Sequence, residues 1–216
     1  MKDTKERILT TALRLFAKNG YEGVSVSDVA SELGITKGAL YRHYESKRDI
    51  FDSIVRRMYV IDVERSHKYR MPAEKFDDAP ETYREPTLGD VKEFTLAQFA
   101  FWTEDEFGAD FRKMLTLEQF RDATISALYR QCIVCGPVEY MEDVFREMMK
   151  KGVLKQADPA SLALEFYAPF FLLINAYDSA DNKSVCAELL NDHIERFIAA
   201  NAVIQPSGKN YSEKEN

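Results

Sequence analysis

The side chains best suited to chemistry stand together near the N-terminus: Lys37, Tyr41, Arg42 and His43, with Gly38 and Ala39 among them. Cationic and phenolic groups reach phosphate oxygens and base edges, and small residues beside them let a helix backbone enter a groove closely. Lys47 follows just behind Ser46, where a capped helix N-terminus and a lysine together make an anion site. Contact with nucleic acid is the chemistry this set supports. Arg42, on the outward face, is by residue type the base reader.

A second chemical candidate is the pair Cys132 and Cys135, a CxxC. A structural zinc site needs four ligands, and no second pair accompanies it, with only His43, His67 and His193 scattered elsewhere. No metal is expected. A redox switch through Cys132 and Cys135 stands as an alternative beside the plainer reading of thiols as small apolar packing residues. No glycine-rich phosphate loop, nucleophile elbow or HExxH occurs, so neither an enzyme nor a cofactor is expected.

Positioning the first set requires two short helices and a tight turn. Ser25 caps the first, with Asp28 reaching back to complete a capping box and Val24 stapled to Val29. Gly34 ends it, and Thr36 caps the second helix, expected over Lys37 to Tyr44, with Ile35 stapled to Leu40. So short a link forces a steep crossing, the geometry of a helix-turn-helix. An earlier helix from about Thr4 to Lys18, begun by Asp3 and Glu6 and stopped by Asn19-Gly20, supports the unit from behind.

The run GYEGVSVSDVASELGITKGALYRHYESKRDIF resembles the TetR family of bacterial transcriptional regulators. The pattern covers Gly-Tyr, the capping serine, Val-Ala, Gly-Ile-Thr-Lys-Gly, Leu-Tyr, His-Tyr and Ser-Lys across roughly the first fifty residues. Departures are Ser25 for the commoner threonine, Leu33 for alanine and Tyr44 for phenylalanine. The resemblance implies that Thr36, Lys37, Tyr41, His43 and Lys47, with Ser25 across the turn, touch the DNA backbone. It also implies a repressor that a small, largely hydrophobic effector held among the later helices releases from a palindromic DNA operator, and a homodimer through the last two helices; a DNA-binding protein of the same fold without an effector, in a structural or cell-division role, is the alternative.

Charge agrees with one DNA-facing end. The chain of 216 residues carries a net −7, yet residues 1–50 hold nine basic and seven acidic residues, so the remainder is at −9. No uninterrupted apolar run reaches the ~18 residues that span a bilayer, and the N-terminus lacks an apolar leader. A cytoplasmic protein without membrane contact is expected.

Beyond Ser46 the periodicity is helical throughout, with no strand pattern. A connector helix is expected from Lys47 to about Arg65, a loop or lid over 66–87, and helices over Leu88–Thr103, Phe107–Phe120 and Thr124–Val134. Gly136-Pro137 then breaks the chain before Val138–Lys151. A very apolar helix runs from Pro159 to about Tyr177 with Pro169 inside it, and a last one from Ser184 to about Val203 puts Val185, Cys186, Leu189, Leu190, His193, Ile194, Phe197 and Ile198 on one seam. Phe94, Gln98, Trp102, Phe111, Tyr140, Phe145, Phe166 and Phe170 are either packed core or the wall of a pocket for a bulky, mostly apolar ligand, with Thr95, Gln98 or Tyr140 as polar handles.

The expected fold is all-α: a helix-turn-helix domain over 1–49, a helical effector-binding and dimerisation domain over 50–204, and a solvated tail over 205–216.

Overall fold

The computed structural model describes residues 2–72 and 86–203, and among these it is helical with no strand beyond one isolated bridge between Leu154 and Ala202. The fold is an N-terminal helix-turn-helix followed by a helical domain.

Three helices build the first domain: α1 (Lys2–Asn19), α2 (Val26–Glu32) and α3 (Lys37–Tyr41). Ile8, Leu9, Ala12, Leu13 and Phe16 of α1 are buried against Val26, Val29 and Leu40, so α1 is the support its stripe promised. It starts before Asp3, which is therefore not its cap. Gly20 closes α1 at φ +79° with its amide donating to the Phe16 carbonyl. Gly34 closes α2 at φ +66°. Both take the left-handed conformation that a Cβ disfavours by ~1–2 kcal/mol.

From Ser46, α4 (Lys47–Lys68) leads out of this domain. It runs three residues beyond the expected end, so Ser66, assigned to the loop, is a buried helical residue. Met71 and Pro72 are buried as well; the rest of that loop, from 73 to 85, lies outside the described residues, as does the tail from 204. The second domain continues with α5 (Leu88–Thr103), α6 (Glu106–Glu118), α7 (Ala123–Tyr129), α8 (Cys135–Lys150), α9 (Pro159–Ala176) and α10 (Lys183–Asn201).

The expected break at Gly136-Pro137 does not occur. Instead a π-helical turn, Arg130–Val134, joins α7 to α8 without interruption, and the Cys135 amide donates five residues back to the Arg130 carbonyl. Pro137 has no amide hydrogen for the Ile133 carbonyl. The Tyr167 hydroxyl of α9 donates to that oxygen instead, at 2.6 Å. Widening the turn lets the helix absorb the proline, while Gly136 sits so near the Gln131 carbonyl that an added Cβ would lie 1.9 Å from its oxygen.

Two expectations about the last helices change. Pro159–Ser179 is, by length and composition alone, long and apolar enough to cross a membrane, contrary to the count of uninterrupted apolar residues. Here Leu162, Phe166, Phe170 and Ile174 are buried in the protein core, as an inner helix requires. The single seam proposed for α10 is in fact two faces. Cys186, Leu190, Ile194 and Phe197 point inward, and His193 joins them, its Nε2 lying 3.1 Å from the Phe166 carbonyl. Val185 and Leu189 face solvent together with Leu164 and Leu172 of α9.

Candidate nucleic-acid interface and ligand cavity

The helix-turn-helix is assembled by the caps that its sequence supplies. Ser25 and Asp28 form the reciprocal box, the Ser25 amide donating to Asp28 Oδ2 at 2.7 Å and the Asp28 amide to Ser25 Oγ at 3.2 Å. These bonds hold the Asp28 carboxyl below its usual range, the backbone bond first. Thr36 Oγ1 accepts the Ala39 amide at 3.1 Å, and Ser46 Oγ accepts that of Asp49 at 3.0 Å. Each hydroxyl thereby gives a first-turn amide a side-chain acceptor; those of Asp28 and Ala39 also reach the Ser25 and Thr36 carbonyls, at 3.1 and 3.0 Å.

The structure sorts the seven expected DNA contacts into three kinds. Lys37, Tyr41 and Arg42 are exposed at and just beyond α3, and no ion pair engages Lys37 or Arg42 among the described residues. Ser25 and Thr36 are exposed caps. His43 and Lys47 are half-buried. The helix itself ends at Tyr41, three residues short of expectation, so Arg42 is its C-cap and His43 lies in the following turn. Tyr44 leaves the helix because its ring is core: it is 2% exposed, and its hydroxyl donates to the Lys5 carbonyl at 3.2 Å. Burial pushes that phenol up to about 12.

Lys47 differs from the others. Its Nζ donates to the Tyr21 carbonyl at 2.8 Å and sits 4.3 Å from the centre of the Tyr21 ring. The lysine thus fastens the loop between α1 and α2 to the start of α4. That loop has a second tie, to the other domain: the Tyr21 amide donates to Glu118 Oε1 of α6 at 3.1 Å. Glu118 is fully buried, Arg121 Nη1 stands 3.3 Å from the same oxygen, and Oε2 has no hydrogen-bond partner among the described residues. Gly20 makes room for this carboxylate, since a Cβ there would lie 2.3 Å from Oε1. Further along, Arg57 of α4 pairs with Glu6 of α1 and lies 4.9 Å from the Phe107 ring centre of α6.

The second domain encloses a cavity of about 360 Å³ between α4, α5, α8, α9 and the π-helical turn. Of the eight expected pocket residues, Phe94, Gln98, Trp102, Tyr140, Phe166 and Phe170 line it. Phe111 and Phe145 do not. Both are fully buried, Phe145 stacked on Phe197 and edge-on to Phe166, Phe111 stacked on Trp102 and Phe107, and so they support the wall from behind.

The expected polar handles are already engaged: Thr95 Oγ1 donates to the Val91 carbonyl, Tyr140 to the Pro72 carbonyl, and Gln98 Oε1 accepts from Arg65 Nε. Sequence reading missed the contribution of α4, namely Met58, Tyr59, Asp62 and Ser66. Their spacing of about one turn was the available signal. It also missed Gln131 and Glu139, brought to the wall by the continuous π turn. Cys132 lines the cavity, and burial pushes its thiol up to about 12. That is the reverse of the low-pKa thiol a redox sensor uses.

The chain thus joins a helix-turn-helix, a connecting helix and a helical bundle that carries a cavity. Residues 8–54 match the bacterial regulatory proteins of the tetR family, so the likeness to that family lies in this N-terminal domain. Over 47 residues it is 51% identical to the uncharacterized HTH-type transcriptional regulator YerO of Bacillus subtilis, covering 22% of this chain and 16% of that protein. Over 53 residues it is 40% identical to the HTH-type transcriptional regulator AcrR of Shigella flexneri, covering 24% and 25%. These matches span a quarter or less of either relative's length.

Similarity in fold extends over the whole chain. A transcriptional regulator from Saccharomonospora viridis in complex with choline covers 95% of this chain and 100% of its own, with a TM-score of 0.66 and 22% identity. The complex of SmeT with triclosan covers 99% and 100%, with a TM-score of 0.64 and 19% identity.

Proposed function

We propose that this chain is a homodimeric transcriptional repressor, released from a near-palindromic operator by a small, largely hydrophobic effector. The observation that carries the DNA-reading half is the exposed trio Lys37, Tyr41 and Arg42, at and just beyond a capped helix whose Leu40 is buried in its own domain. Arg42 reads bases, while Lys37, Tyr41, His43 and the caps Ser25 and Thr36 meet phosphates. Lys47 acts on phosphate too, and also holds the Tyr21 loop in place. The domains are taken as 1–49 and 50–204.

Leu164, Leu172, Val185 and Leu189 form an exposed apolar face of α9 and α10, which supports dimerisation there as a four-helix bundle. Two recognition helices then meet successive major grooves about 34–36 Å apart. The cavity supports the effector, and the choline and triclosan complexes of its structural neighbours agree with a small molecule among these helices. Signal passes along two ties: α4, which both lines the cavity and begins at the DNA, and Glu118 of α6, which grips the Tyr21 amide. A ligand that favours the conformation with a different helix spacing weakens operator binding by its differential affinity, on the order of 1–3 kcal/mol.

Selection of bound duplexes from a random pool tests the reading. An enriched inverted repeat is expected; enrichment of nothing at low salt refutes it.

A further inference from the structure

The cavity wall has an asymmetry of charge. Among the described residues its lining contains two acids, Asp62 and Glu139, and no lysine, arginine or histidine. Asp62 is reached by solvent where the cavity opens, yet enough protein surrounds it that desolvation raises its pKa. Its direct partner is Gln98 Nε2, at 3.5 Å. The neighbouring cation, Arg65, is committed elsewhere: Nη2 donates to the Ala97 carbonyl at 2.7 Å, Nε to Gln98 Oε1 at 2.8 Å, and the guanidinium lies 4.4 Å from the centre of the Phe101 ring. Arg65 thereby turns the Gln98 amide so that its NH2 faces Asp62, and no ion pair reaches Asp62 among the described residues. The same cavity wall carries the rings of Tyr59, Trp102, Tyr140 and Tyr167. Electron-rich faces sharing a cavity with an under-compensated carboxylate favour a cation that water holds weakly.

We propose that the cavity binds a lipophilic cation, an amine or quaternary ammonium with an apolar or aromatic body, its charge toward Asp62 and its body against the aromatic wall. This rests on the reading of the cavity as an effector site and names the ligand's class. Asp62 supplies the specific counter-charge. Glu139, exposed at the rim, draws cations toward the opening and contributes less, because water screens it. An anionic ligand, such as a fatty carboxylate, meets two like charges and, among the described residues, no basic residue of the lining.

Trp102 is the only tryptophan of the chain and lines the cavity, so its emission reports occupancy directly. The full-length protein is titrated with benzyltrimethylammonium, with its uncharged isostere neopentylbenzene, and with phenylmethanesulfonate. The cation is expected to bind about tenfold more tightly than the neutral isostere, and the sulfonate more weakly than either. Asp62→Asn should remove about that tenfold for the cation and leave the neutral probe unchanged, and Glu139→Gln should cost about twofold. The wild-type comparison of the three probes needs no variant to fold. If the neutral or anionic probe binds as tightly as the cation, or Asp62→Asn leaves the cation's affinity intact, the cation class is overturned while the effector site stands. If no probe alters Trp102 emission, both fall.

Discussion

The two ends of the molecule use their polar side chains in opposite ways. Around α3, Lys37, Tyr41 and Arg42 are left exposed and turned outward. In the second domain the groups that looked available are consumed internally: Thr95 on its own helix, Tyr140 on Pro72, Gln98 between Arg65 and Asp62. The contrast teaches where specificity resides in each. A surface that must meet phosphates keeps its donors free and gains affinity from counterion release. An enclosed cavity cannot leave polar groups unmet without a cost of ~1–3 kcal/mol each, so it binds them internally and discriminates with whatever charge remains.

Between these ends lies the junction of Gly20, Tyr21 and Glu118, and breaking it should have the largest effect. Gly20→Ala would place a Cβ in a left-handed residue and 2.3 Å from Glu118 Oε1, displacing a buried carboxylate from its amide partner. A loss of ~3 kcal/mol in urea unfolding is expected. A wild-type denaturation midpoint would show that the two domains are not joined there.

The internal economy of the second domain predicts the next effect. Tyr167→Phe removes the hydroxyl that serves the Ile133 carbonyl, the acceptor Pro137 leaves without a helical donor. The variant should unfold ~1–3 kcal/mol more easily, with DNA affinity of the folded protein unchanged. Stability equal to wild type would mean that the π turn satisfies itself.

For the outward-facing set the same truncation should spare stability and alter binding. Arg42→Ala should relax base preference in selected duplexes by ~1–3 kcal/mol at the position it reads. An unchanged binding-site profile would remove it as reader. Lys37→Ala should weaken binding on every sequence by roughly tenfold and flatten the salt dependence by about one unit. Lys47→Ala sharpens the contrast, because its ammonium also holds the Tyr21 carbonyl. It should lose affinity and also unfold earlier by ~1 kcal/mol, whereas Lys37→Ala melts as wild type.

Legibility followed the range of the interactions. In the first domain the determinants are three residues apart: Ser25 with Asp28, Thr36 with the Ala39 amide, Gly34 behind α2. Composition therefore revealed both helices and their turn. The helix α3 was read too long because Tyr44 belongs to a contact with Lys5, 39 residues away. In the second domain helix periodicity located the elements, but their use depends on distant partners. Pro137 looked like a stop until Tyr167 took over the carbonyl it strands, and that continuity is what carries Gln131 and Glu139 to the cavity. Phe111 and Phe145 are aromatic like their neighbours, and only packing puts them behind the wall. Asp62 lies on the long helix that the sequence marks as a connector. Nothing local to it signals Gln98 across the cavity.

The smallest effect is expected at Cys132, where the two uses of side chains meet most quietly. Its thiol lies on the cavity wall and is pushed up to about 12, desolvation first and the Asp62 charge second. A thiol held that high is almost wholly protonated at neutral pH, and nucleophilic attack requires the thiolate. Alkylation of the native protein by iodoacetamide at pH 7.5 should therefore be far slower at Cys132 than at an unperturbed, freely exposed thiol, and it should accelerate on unfolding in urea. Cys132→Ala and Cys132→Ser should bind selected operator DNA as wild type does, with and without peroxide. Loss of DNA binding on mild oxidation, prevented by Cys132→Ala, would instead make the pair with Cys135 a sensor and shift the regulatory input from the cavity's contents to its lining.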